Sequence, residues 1–141
     1  MIDIISYRPE HLAQIKLQHM QEILQNTDHA NGLTESTMAW TAKRGDEVVC
    51  IAGVAEIWTN RGMAWVLLSE TAGRDLLAIT RALKRYISLN EYKRLEAVVS
   101  CQWPEAQRWA RMLGFREEVE RAEAYNPDGT DAAIYVRIAD G

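Results

Sequence analysis

Cysteine is scarce in this sequence: Cys50 and Cys101 are the only two, far apart and each inside an apolar run. Two such residues speak against a disulfide-built scaffold or a cysteine metal site, and both are expected in the core as small hydrophobes. Long hydrophobic runs are missing as well. No stretch approaches the roughly 20 apolar residues of a membrane span, and MIDIISYRPEHLAQIKLQHM lacks a basic start followed by an apolar run. The chain is therefore expected to be soluble and cytoplasmic, with no membrane partner. Positive charge is in short supply: 16 Lys and Arg stand against 20 Asp and Glu, a formal net charge of -4. That balance gives no electrostatic reason to meet nucleic acid. The three histidines, His11, His19 and His29, have no cysteine or paired acid at ligand spacing nearby, so no metal is expected. Repeats, linkers and low-complexity tracts are also lacking, which leaves a single domain over residues 1–141.

What is present is a core-forming composition, 48% hydrophobic and 26% charged, in an ordered succession of patterns. Ile2 to Tyr7 alternate as a short strand, and Pro9 opens a helical spacing through Leu12, Ile15, Leu17, Met20, Ile23 and Leu24. Residues 26–37, NTDHANGLTEST, read as a loop, with an incomplete capping box over Thr34 to Thr37. Arg44-Gly45-Asp46-Glu47 and Thr59-Asn60-Arg61-Gly62 are turns between β-branched or aromatic runs, which makes the middle of the chain an antiparallel meander.

Leu76, Ile79, Thr80, Leu83, Tyr86 and Ile87 then form one helical stripe. Arg81, Lys84 and Arg85 lie off it and, with Lys93 and Arg94, form a basic cluster expected to be a solvated face. Leu95 to Ser100 is a strand, Pro104 suits the first turn of a helix running to Leu113, and Gly114 suits its end. Strands at Val119–Tyr125 and Ala133–Ile138 flank the turn Asn126-Pro127-Asp128-Gly129. The order is β-α-β-β-β-α-β-α-β-β, an α/β (α+β) class. Trp40, Trp58, Trp65, Trp103 and Trp109 are expected mainly in the core, with some left as interface anchors.

This order resembles the GNAT superfamily of acyl-CoA-dependent N-acyltransferases, whose last helix commonly ends in Leu-Gly-Phe before an acidic strand. Leu113-Gly114-Phe115 and Glu117 match that run. Tyr7-Arg8-Pro9-Glu10-His11-Leu12 resembles the usual strand-to-helix start, and Gly45 to Val49 with Gly53 resembles the central hairpin. The resemblance spans nearly the whole chain. It implies a mixed, mostly antiparallel twisted sheet flanked by helices, and transfer of an acetyl group from acetyl-CoA to an amine by direct attack. The amine would belong to a small molecule or a protein. Glu56 is then the implied catalytic base. The implied acetyl-CoA site runs along the strand end Leu67, Leu68 and Ser69 and the loop residues Gly73, Arg74 and Asp75.

The matching loop, SETAGRDL from Ser69 to Leu76, departs from that pattern. It offers one glycine, one basic side chain and two carboxylates, Glu70 and Asp75, which repel phosphate. Read for itself, it has Asp75 or Thr71 capping the next helix, and its backbone donors would take a pyrophosphate only if Asp75 turned away. Ala110 and Trp103 stand where active relatives place a tyrosine and an asparagine, so a leaving thiolate would be protonated by solvent or by Tyr86, Tyr92 or Tyr125. Glu56 has a plain reading too, as a solvent-facing position of a half-buried strand. With Trp65 and the run Arg108 to Gly114, these departures resemble a narrower set, the GNAT-related internal virion protein A group of short-tailed bacteriophages. That resemblance implies a phage structural or assembly protein without CoA chemistry. Its partners would be other phage proteins or further copies of itself, in the host cytoplasm or the virion.

Overall fold

The computed structural model describes residues 2–18 and 37–139. The alternating runs become β1 (Asp3–Ser6), β2 (Thr37–Arg44), β3 (Glu47–Trp58) and β4 (Arg61–Leu68), an antiparallel meander. Its two tight turns rest on Gly45 at φ +61 and Asn60 at φ 73, residue types that tolerate the left-handed region. A 3₁₀ turn at Ala72–Asp75 leads into α2 (Leu76–Leu89) and then β5 (Arg94–Ser100), which lies parallel to β4. Parallel neighbours need a crossover, and α2 supplies it. Next come α3 (Pro104–Met112), β6 (Arg116–Ala122) and β7 (Ala132–Ile138). The seven strands form one sheet in the order β1-β2-β3-β4-β5-β7-β6.

The helices cover both faces. On one, Ile79 and Leu83 of α2 and Ala110 and Leu113 of the α3 segment pack against Cys50, Ala52, Leu68, Leu95 and Tyr135. On the other, Leu12, Ile15 and Leu17, in and just after α1 (Pro9–Gln14), pack against Val48, Ile51 and Leu67. Gly114, at φ +103, ends α3 as the sequence predicts: its N–H reaches Arg111 O at 3.1 Å and that of Phe115 reaches Ala110 O at 3.1 Å. This double bond pattern satisfies two orphan carbonyls of the last turn. No helix among the described residues is long and apolar enough to cross a membrane.

Several expectations give way to longer-range contacts. The first helix stops at Gln14 because Ile15 turns extended and Leu17 bridges to Ser69 at the end of β4. Gln18 N–H to Leu68 O at 3.0 Å and Glu70 N–H to Lys16 O at 2.7 Å fix that alternative. Met20, Ile23, Leu24, His19, His29 and the Thr34–Ser36 part of the capping box lie outside the described residues. The last two strands also begin earlier than the turn residues suggested, at Arg116 and Ala132. None of the five tryptophans is fully buried, and Trp58 is 60% exposed with its ring under Arg61. Cys50 is buried as expected, whereas Cys101 is half-buried and its thiol faces Glu120 O at 3.6 Å. The basic cluster divides. Arg81, Lys84 and Arg85 are exposed, but Arg94 pairs with Glu96 and Glu118, and Lys93 donates to Ala139 O at 2.6 Å.

Glu96 is a buried carboxylate between Arg61 and Arg94, where β4 and β5 meet. The hydrogen bond from Arg61 is the main cause holding its carboxyl below the ordinary range, against the opposing effect of burial. A carboxyl lowered on folding contributes stability that is complete above its unfolded value and is lost as pH falls through the folded one. Glu96→Gln should cost about 3 kcal/mol in urea denaturation at neutral pH. It should also weaken the decline of melting temperature below pH 4.5, the ordinary carboxyl value.

Candidate functional site

β4 and β5 pair through Arg61 with Arg94, Gly62 with Leu95 and Met63 with Glu96, and then part. Both strands are held by other partners. The far half of β4 is laddered to β3 on its outer edge up to Leu68, and at its end Leu68 O and Glu70 N–H, on the edge opposite β3, bond Gln18 N–H and Lys16 O, while β5 follows β7 to its end at Ser100 and Ala132. Each strand is held by a different neighbour, and the sheet's twist carries them away from each other. A cavity of about 940 Å³ opens along the parting, on the side of α2 and α3.

Glu56, Leu68 and Gly73 line this cavity together. Glu56 is level with Gly62 and Leu68 with Cys50, so six strand residues, about 20 Å, separate the two levels. The other expected residues are dispersed. Leu67 points to the opposite face, into the cluster around α1. Ser69 is buried, its N–H bonded to Val49 O and its hydroxyl accepting from Thr71 N–H at 3.1 Å. Arg74 is exposed, and Asp75 is turned away.

Asp75 sits at the N-cap of α2 but makes no capping bond, and Thr71 makes none to the 3₁₀ turn, contrary to the local reading. The Arg44 guanidinium takes the Asp75 carboxylate instead, and its other nitrogen pairs with Glu47. Glu47 in turn accepts the Thr71 hydroxyl at 3.1 Å. The hydrogen bond from Arg44 is the first cause that lowers the Glu47 carboxyl. A side chain of the β2–β3 hairpin thus draws the helix-start carboxylate aside. That is the condition under which the α2 backbone can receive an anion.

At the end where β4 and β5 pair, Glu56 is exposed and accepts the Tyr92 hydroxyl at 3.2 Å. Burial first and Glu56 second push the Tyr92 phenol above its ordinary value. Tyr86 stacks on Trp40 at 4.3 Å, and Tyr125 is exposed. Ala110 and Trp103 both line the cavity, and Trp109 beside them donates its N–H to Thr80 at 2.8 Å. Among the described lining residues the carboxylates are Glu56, Glu91, Glu105 and Asp128, with no lysine, arginine or histidine. Such a wall attracts cations and repels anions. No group of three potential metal ligands is present among the described residues.

Gly62 was legible only as a turn residue, yet it shapes this end of the cavity. A Cβ there would meet Val54 at 2.9 Å and the Tyr92 ring at 3.0 Å. Gly53 likewise leaves room for the Trp65 ring, 2.8 Å from where its Cβ would be. An isolated glycine within a strand pattern was the available sign of such approach. Around Gly73, by contrast, the space is open.

No family model and no curated protein matches this sequence. Solved structures do. An IAA acetyltransferase from Bacillus cereus ATCC 14579 aligns with TM-score 0.76 at 12% identity, over 99% of this chain and 100% of that one. An N-acetyltransferase from Staphylococcus aureus Mu50 gives 0.73 at 11% identity, over 98% and 97%. A mutant of the spermidine N-acetyltransferase from Vibrio cholerae gives 0.66 at 12% identity, over 97% and 93%. Identities this low speak to architecture, and the architecture is the GNAT fold.

The glycine surroundings give a direct check. Gly73→Ala should leave the unfolding free energy in urea within about 0.5 kcal/mol of wild type. Gly62→Ala, which crowds Val54 and Tyr92, should lose about 1–3 kcal/mol.

Proposed function

We propose that the protein is an N-acyltransferase, acting as one domain, that transfers an acetyl group from acetyl-CoA to an amine by direct attack. The observation that carries this reading is the parting of β4 and β5 into a cavity that runs from Glu56 to Gly73. The GNAT fold that the acetyltransferases above share supports it. Acetyl-CoA enters as a substrate. Its pyrophosphate would lie at the start of α2 near Gly73, with exposed Arg74 beside it, and its arm would follow β4 past Leu68 toward Glu56. Arg44 and Arg74 face Glu47, Glu70 and Asp75 in this region, so side-chain charge does not favour the phosphates, and backbone donors have to supply the affinity.

The acceptor end differs. Four cavity carboxylates favour an acceptor that arrives positively charged over an anionic one. The ammonium gives one proton to water to free its lone pair; Glu56 then takes a second as the nitrogen bonds to the thioester carbon, and expulsion of the thiolate completes the transfer. A second reading, a phage assembly body without CoA chemistry, draws on buried Ala110 at the family's tyrosine position and on the acid-rich loop.

A thermal-shift titration separates the two. Acetyl-CoA at 100 times its Kd should stabilise the protein by about 2.7 kcal/mol. No shift at millimolar concentration favours the assembly reading, which also requires the chain in purified virions. Where binding is seen, Glu56→Gln should reduce turnover at least about 100-fold with little change in acetyl-CoA affinity. An unchanged rate removes Glu56 from the mechanism.

A further inference from the structure

We propose that Tyr92 is the catalytic acid that protonates the departing thiolate, and that its hydrogen bond to Glu56 returns the proton and closes the cycle. The proposal rests on the acyltransferase reading and adds the proton donor that Ala110 does not provide. A carboxylate that has just acted as base has accepted a proton, and the sulfur that leaves needs one. Nitrogen and sulfur are bonded to the same carbon in the tetrahedral intermediate, so the groups serving them have to stand side by side. The Tyr92 hydroxyl and the Glu56 carboxylate do, at 3.2 Å, and both residues line the cavity.

One strand position places the pair. Gly62 is the cross-strand neighbour of Glu56, and its missing side chain leaves the space that the Tyr92 ring occupies. From the other side, Asn90 Oδ1 accepts the Tyr92 backbone N–H at 2.9 Å. The second cavity tyrosine, Tyr86, is stacked on Trp40.

Counted from the free amine, the acceptor having first given its ammonium proton to water, the proton count closes. As the C–N bond forms, the amine proton passes to Glu56. As the C–S bond breaks and the carbonyl re-forms, the Tyr92 proton passes to sulfur. The phenolate then recovers a proton from the Glu56 carboxylic acid across their hydrogen bond. Amine and thioester have become amide and thiol, and both side chains are back in their starting states. Burial and the neighbouring carboxylate keep the phenol protonated until the thiolate appears.

The test compares wild type, Tyr92→Phe and Gly62→Ala with acetyl-CoA and with the acetyl ester of p-nitrothiophenol, using n-butylamine and putrescine as acceptors. With acetyl-CoA, Tyr92→Phe should lower kcat about 100-fold, with KM within about twofold and melting temperature unchanged. With the arylthiol ester, whose thiolate leaves without a proton, the variant should match wild type within about threefold. A structural role for Tyr92 would depress both donors equally, and that result overturns the proposal. So does wild-type turnover that Tyr92→Phe leaves unchanged with acetyl-CoA. Gly62→Ala should follow the same donor pattern if it folds. Failure of wild type to bind acetyl-CoA or to turn over either donor overturns the acyltransferase reading itself, and Tyr92 with it.

Discussion

Two parallel strands that stop pairing after three residues impose the main constraint on this molecule. The far half of β4 is laddered to β3, and the other edge of its end is taken by residues 16–18. β5 stays with β7 to Ser100. These partners and the sheet's twist hold the two strands apart and leave a gap between them. The start of α2, the wall formed by α3 and the Glu56–Tyr92 pair all line that gap. The Arg61–Glu96–Arg94 cluster marks where it begins.

Charge then decides how the gap can be used. Around the loop at its open end stand three carboxylates, Glu47, Glu70 and Asp75, against two guanidiniums, Arg44 and Arg74, and Arg44 consumes its own charge on Glu47 and Asp75. Its service is geometric: it moves Asp75 off the helix start. Among the described residues that line the cavity only carboxylates, all of them exposed, carry full charge. On the acyltransferase reading proposed above, a donor with several phosphates would be held at the rim by backbone and a cationic acceptor favoured at the cavity, so that the two substrates would be sorted by sign.

What could be read from the sequence was local. Gly114 between Leu113 and Phe115 gave the helix stop, the Gly45 and Asn60 turns gave the meander, and the element order gave the fold class. Features decided by distant partners were hidden. Asp75 has the position of a capping residue, but Arg44, far away in the chain, outbids the helix for it. Leu17 continues a helical stripe, yet Ser69 takes it into a bridge. Tyr92 was one of three tyrosines without a place, because its position depends on an absent side chain at Gly62 across the sheet. Helical periodicity and turn composition carry no information about such pairings.

The central claim is that the parted segment of β4 receives the arm of acetyl-CoA. Amide hydrogen exchange with and without saturating acetyl-CoA tests it directly, since a ligand that pairs with or covers backbone slows exchange there. The expected result is slowing concentrated in residues 64–68 and at the α2 start, residues 73–76, with β6 unchanged. Binding that leaves residues 64–68 as fast as in the free protein would contradict the claim.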